Sequence, residues 1–387
     1  MRLGRRAFIG LGATTVVGAA AAVLGRDRFF GGDELPPAVG PRIVPTPFSG
    51  NTAARQDWDT LVKEAKGEGT LFILVRGGIG YRRATSEFQT AFPGIDVQVF
   101  TDANPTSWLE RLRSERKAGK YTLDLAFVQA EAAITQGLKD GLWAPLRPLV
   151  GRSDVIDDKM WRDGFAARFL DTKGQFAFGW EYQVQHAYAV DSRVVKDGEI
   201  QSVRDLLDPK WRGKVITSDP RIGSGLLSAS AVAKKHGNDV VKALLVEQQP
   251  KIASSMTELT DGLVKGSHPI AQGVRPRGLI PYRDRGEAAH IRFLDLPDAD
   301  HVPGTALFAF NNTPHPAAAR LFVNWVLTKE GQTALAGNLL TNSARWDVSA
   351  FEKDGVGRLD AAYYEPDREA HYSHTAATLT YVKGLLG

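Results

Sequence analysis

The chain has 387 residues, a net charge of +4 and no cysteine. The absence of cysteine excludes disulfides, thiolate metal sites and a lipidated N-terminal Cys. Residues 1–32 hold Arg2, Arg5, Arg6, Arg26 and Arg28 against Asp27, a net +4 that equals the total, so the remainder is near neutral and its bulk charge gives no support to a nucleic-acid partner.

In chain order the first feature is Arg5-Arg6-Ala7-Phe8 followed by an uncharged, weakly apolar run from Ala7 to Leu24. A positive flank, a mild apolar run and small residues define an export signal. The residues Arg5, Arg6 and Phe8 resemble the twin-arginine (Tat) motif, which a receptor reads. Gly4 and Gly10 depart from that motif's usual residues. The run is about long enough to span a bilayer. Two readings therefore stand: a signal cleaved near Ala19–Ala22, or an uncleaved anchor. Residues 33–54 carry Pro36, Pro37, Pro41, Pro45 and Pro47 and read as a semi-extended linker. Residues 55–387 suffice for two domains with sizeable cores.

From Trp58 onward helix and strand alternate. Trp58, Leu61, Val62 and Ala65 share one helical face, and the apolar run Leu71–Val75 reads as a buried parallel strand. A helix is predicted over 80–92, a strand over 95–100, a helix over 105–118 and a strand over 123–128. The pattern βαβαβ implies a parallel sheet with helices on both faces. Residues 143–149, with two prolines, read as a crossing segment, and 176–190 as aromatic strand. A second α/β unit follows, with a helix at 203–207, a strand at 214–218 and helix from Gly225 to about Glu247. A strand over 290–296 leads into 304–310, and helices at 316–327 and 330–336 close the pattern.

Several stretches resemble a known family. Trp58–Lys66 before Gly69 is similar to the opening of type II periplasmic binding proteins, and Phe88 to Ile95 to their Phe…Phe-Pro-Gly-Ile passage. Asp205-Leu206-Leu207-Asp208-Pro209-Lys210-Trp211-Arg212-Gly213-Lys214 resembles a block of the ferric-iron and related binding proteins of ABC importers. Pro316–Phe322 and Thr328–Gln332 resemble the family's close. The resemblance implies an α/β fold of two lobes, each a mixed, mainly parallel sheet flanked by helices, joined by crossing hinge strands. It places residues 55–145 and 304–350 in lobe 1, 146–303 in lobe 2 and 351–387 in a C-terminal helical tail. It implies an extracytoplasmic monomer that binds a small-molecule or metal-complex ligand and docks on a membrane permease; the N-terminal signal adds the Tat translocase as the expected export partner. It implies no cofactor and no catalysis.

Ligands of open α/β sheets sit beyond the carboxyl ends of strands. That rule selects Arg76, Gly77 and Gly78 after the first strand, where glycines admit a ligand to the backbone and an arginine fork grips an anion. It selects Gln129 at a helix start after the third strand. It also selects Ser224 and Gly225, with Ser224 as an expected N-cap. Trp180 and Tyr182 lie on the expected crossing strand and offer a cleft wall, while Glu181 between them is costly to bury unpaired. The resemblance directs attention to Tyr282, because ferric-iron members carry two adjacent tyrosines in this region. Here Arg283 follows Tyr282, and Arg275, Arg277 and Arg285 lie nearby, which suits an anion better than bare iron. Tyr363-Tyr364 lies outside the matching position, and His371 and His374 have no metal-site spacing. Three functions compete: a solute-binding component for an anionic solute or metal complex (with ferric iron as the alternative cargo), an exported ligand-sensing domain, and an exported enzyme, for which no nucleophile–base pair is evident.

Overall fold

A computed structural model describes residues 52–387, with side chains from Arg55 onward. The export signal and the linker up to residue 51 lie outside the described residues. Helix α1 (Thr52–Glu68) ends at Gly69, whose φ of 70° supplies the left-handed residue that stops a helix. It begins within the stretch that the sequence assigns to the linker. Strand β1 (Thr70–Val75), helix α2 (Gly78–Ala91), β2 (Asp96–Thr101), helix α3 (Pro105–Lys117) and β3 (Leu125–Val128) follow. Asn104 caps α3 by accepting from the Thr106 amide, and Pro105 occupies the first turn, where a missing N–H costs nothing. β4 (Trp143–Ala144) and β5 (Phe178–Gly179) are short.

The next group is β6 (Tyr188–Asp191), β7 (Val215–Thr217), helix α4 (Gly223–His236), β8 (Lys251–Ile252), helix α5 (Met256–Val264), β9 (Ile270–Gln272) and β10 (Ile291–Phe293). The chain then returns with β11 (Ala306–Phe310), helix α6 (Pro316–Val326) and helix α7 (Lys329–Leu339), and a last helix α8 spans Tyr372–Leu386. Two sheets result. The first has the order β2-β1-β3-β11-β4, with β5 also on β11, and the second β10-β6-β9-β7-β8. In the first, β1 is parallel to β2 and β3, and β11 runs antiparallel to its neighbours. Both sheets are therefore mixed.

Strand alternation builds a core on each face of each sheet. In lobe 1, Ile73, Val75, Phe127, Leu307 and Ala309 enter one core, while Leu74, Ala126, Val128, Phe308 and Phe310 enter the other. In lobe 2, Val190 and Ile270 face one side and Ala189 and Ala271 the other. Both faces being covered explains why these strands read as continuous apolar runs.

Two expectations are corrected. Residues 143–149 do not cross between lobes: Trp143 and Ala144 form an edge strand on Phe310 and Ala309. The run from Leu146 to Phe178 belongs to lobe 1, because Val150, Val155, Trp161, Phe165, Phe169 and Phe178 all enter its core. The crossing segments are instead 180–187, leaving lobe 1, and 294–305, returning to it. They pair at Gln185 and His301, and His301 also pairs with Tyr364 of the tail. After contacts with lobe 1 at Arg345, the tail sends α8 to lobe 2, where Val382 is fully buried in the core. The chain thus passes between the lobes three times.

Candidate functional site

The crossing segment is extended, so its side chains alternate. Trp180 and Tyr182 face one way, and Glu181, Gln183 and Gln185 face a cavity of about 390 Å³. Lobe 2 contributes Arg275 and Arg277, from the loop after β9. Lobe 1 contributes Leu339, the last residue of α7, with Leu340 and Thr341, and the tail contributes Glu352 and Asp354. The volume lies toward the low end of the roughly 300–1,000 Å³ usual for small-molecule pockets.

The two arginines have no carboxylate partner among the described residues. Arg275 donates to the side-chain oxygen of Gln185. Burial lowers its pKa, the mark of a cation short of compensation. Arg277 crosses from lobe 2 to lobe 1, donating to the carbonyls of Leu340 at 2.7 Å and Leu339 at 3.4 Å. These carbonyls end α7, where the helix dipole is negative. Leu340 sits at φ 56°, a left-handed value unusual for leucine, which ends the helix there.

A hydrogen-bonded chain lines the opposite wall. The Thr341 hydroxyl lies 2.6 Å from Glu181 Oε1 and 2.7 Å from Gln183 Oε1. The single hydroxyl proton serves one of these acceptors at a time. Burial raises the Glu181 pKa, against the lowering effect of the Thr341 and Thr305 hydrogen bonds and of Arg76. Thr341 donates to Glu181, and the Gln183 amide to Glu352. The Thr305 amide also reaches Glu181, at 3.2 Å. Beside this chain, both ring nitrogens of His186 face acceptors, Asp300 at 2.7 Å and the Asp354 carbonyl at 2.7 Å. Burial alone would lower the His186 pKa, but the Asp300 carboxylate overrides it and the net shift is upward. His186 is therefore held between Asp300 and the Asp354 carbonyl, and burial of Asp300 raises that carboxyl's pKa as well. With Asp295 these two bring metal-donor atoms within 4.8 Å of one another, yet the His186 nitrogens are committed to Asp300 and Asp354. His301, fully buried near Arg275, has its pKa pushed down to about 3 by burial first and the arginine second, and stays neutral.

None of the ten sequence-selected residues lines this cavity. Arg76, Gly77, Gly78 and Gln129 do stand at the carboxyl ends of β1 and β3, all exposed. Arg76 is near enough to Glu181 and Asp367 to favour their ionised forms. Trp180 is fully buried, its indole donating to Thr305 at 3.0 Å, and is core rather than cleft wall. Tyr182 is buried against the Arg162 guanidinium, 4.1 Å from its ring, and the Trp346 ring lies 4.2 Å from the same cation. Ser224 is not an N-cap: α4 starts one residue earlier, with Ile222 at the cap position. Gly225 is glycine for packing, since a Cβ there would lie 2.3 Å from the Asp219 carbonyl. Tyr282 turns away, donating to Asp261 at 2.5 Å, and Arg283 borders an adjoining cavity that shares His186, Phe293 and Asp354 with the first. Arg275 and Arg277, visible in the sequence as part of a basic cluster, are the members that reach the site. Glu352 and Asp354 carried no sequence signal beyond their place in a polar tail.

Two α/β lobes are thus joined by three crossings, with the cavity at the hinge. The model of the bacterial extracellular solute-binding protein family matches residues 83–344, and the chain belongs to that family. Its fold is the two-lobed type II periplasmic binding protein fold. Iron-bound HitA from Pseudomonas aeruginosa superposes with a TM-score of 0.58 at 17% identity, over 82% of this chain and 99% of that one. Trichodesmium FutA in complex with iron and citrate gives 0.63 at 14%, over 82% and 99%. An open form of Mannheimia haemolytica ferric iron-binding protein A gives 0.62 at 13%, over 82% and 98%. At such identities the likeness shows the fold. Among curated protein sequences nothing matches this chain. The family's location is extracytoplasmic, and its members deliver ligands to ABC importer permeases. Among the described residues no helix is long and apolar enough to cross a membrane.

Proposed function

We propose that the chain binds a small anionic organic solute, or an anionic metal complex, at the hinge cavity and hands it to an ABC importer after export by the Tat route. The observation that carries this reading is the pair Arg275 and Arg277, two cavity guanidiniums with no carboxylate partner among the described residues. An anion that takes Arg277 competes with the Leu339 and Leu340 carbonyls and bridges the lobes in their place. Ligand contacts made to both lobes favour the closed state, the condition for hinge closure on binding. Iron-binding relatives suggest a metal cargo. Bare Fe³⁺ is less well served here, because Tyr282 and Tyr363 spend their hydroxyls on Asp261 and Asp295. An anionic chelate keeps that option consistent with the arginines. No step of catalysis is proposed.

The test is a thermal-shift screen of phosphonates, sugar phosphates, carboxylates and ferric citrate, since a ligand of the folded state raises Tm by mass action. A charge-assisted hydrogen bond contributes about 1.5–3 kcal/mol. Arg275→Gln and Arg277→Gln should each weaken the hit by about 10- to 100-fold. Undiminished binding in both variants would place the ligand elsewhere.

A further inference from the structure

We infer that the solute is a zwitterion, carrying an acidic group for Arg275 and Arg277 and an ammonium group for Glu352 and Asp354. This rests on the hinge cavity being the ligand site and specifies the chemistry of what fills it. The cavity has two poles of opposite sign. The positive pole is the Arg275-Pro276-Arg277 loop of lobe 2. The negative pole comes from the tail, a segment outside both crossing strands.

Charges already compensated do not count toward the poles. Glu181 already accepts the Thr341 hydroxyl on Oε1 and the Thr305 amide on Oε2, so both its oxygens have donors. His186 is paired with Asp300. Glu352 receives only the Gln183 amide on Oε2, which leaves Oε1 for a ligand donor. The Asp354 carboxylate is exposed and has no side-chain hydrogen bond among the described residues; the main-chain carbonyl of the same residue is what His186 engages. Beside the polar Gln183, Gln185 and Thr341, the lining includes the apolar Val274, Phe293 and Leu339. That suits a short hydrocarbon linking two charged ends.

A sphere of the cavity's volume is about 9 Å across, close enough for every charge of a bound solute to feel both poles. A dianion satisfies the arginines and is repelled by the tail; a dication does the reverse. At that range and an effective dielectric constant near 20, one mismatched charge costs about 10- to 30-fold in affinity.

The test is calorimetric titration of the purified full chain with matched series of two to six carbons: ω-amino acids, the corresponding diacids and the corresponding diamines. The best amino acid should bind at least about 10-fold more tightly than its diacid and its diamine. Glu352→Gln should erase the preference over the diacid, and Arg277→Gln the preference over the diamine. Asp354→Asn, at an exposed position, repeats the first comparison should Glu352→Gln disturb the fold, and the ligand-free Tm of each variant reports on that. A diacid that binds as tightly as any amino acid, with loss on Arg277→Gln, overturns the zwitterion and keeps the anionic-solute reading. Amino-acid binding that is unchanged by Arg277→Gln overturns both. Absence of binding by every amino acid in the series overturns the zwitterion alone, provided an anion from the thermal-shift screen still binds through the arginines.

Discussion

At the scale of the residue, Asp367 is the group whose titration matters most. Its carboxylate accepts the Gly304 amide at 2.8 Å. Burial first, with Glu181 and Glu131 adding, pushes its pKa to about 7, while the Gly304 amide and Arg76 pull the other way. A folded-state value above the ordinary 3.8 means that the fold holds the proton more tightly than the unfolded chain does. The resulting stability is present in full below about pH 4 and is lost as pH rises through about 7. Asp367→Asn keeps the neutral form at every pH. The Tm of the wild type should therefore fall relative to that variant between pH 4 and about 8, read by calorimetry at matched ionic strength. A constant offset would show the carboxyl ionised throughout. The sequence offered no way to see this. Asp367 lies in the tail, Glu181 on the crossing strand and Arg76 after β1, and only the fold brings them together. The same limit explains the misplaced cleft wall. The aromatics Trp180 and Tyr182 were visible, but which way an isolated extended segment turns depends on what packs against each side.

At the scale of the element, what was legible is what periodicity encodes. The strands β1, β2 and β3 and the helices between them stand within a few residues of their predicted places, because apolar runs and Pro-Gly stops act locally. The strand β9 and helix α5 were not assigned: β9 is three residues long, too short to show a period. The placement of 146–179 failed for a different reason, since prolines mark a turn without saying whether the chain then stays or leaves. The tail gave only a helical reading. In the structure α8 lays Val382 into the lobe 2 core, with Tyr381 and Leu386 against it. Val382→Ala removes buried methyl groups and leaves a void, so it should cost on the order of 1–3 kcal/mol in denaturant unfolding. Val382→Thr, similar in shape, should cost as much through its buried hydroxyl. A change within about 0.5 kcal/mol in both would mean that α8 only rests on the lobe.

At the scale of the whole molecule, Arg277 couples the lobes without any ligand. Its bonds to the carbonyls at the end of α7 are of the charge-assisted kind, about 1.5–3 kcal/mol. Arg277→Ala should shift the ligand-free balance toward the open form by about 10- to 100-fold, seen as a larger radius of gyration in solution scattering. An unchanged radius would show that other contacts set the interlobe angle.

The crossing chains themselves limit what that angle can do. Gln185, His301 and Tyr364 lie side by side in a ribbon three chains wide, two of its seams zipped by backbone bridges. At about 4.8 Å between neighbours, such a strap is roughly 10 Å broad. A tape of that kind folds readily across its width but resists shearing and twisting, as a single cord does not. The two lobes should accordingly swing like a door, about one fixed line, and a docking partner would meet two outlines related by one rotation instead of a continuum of poses.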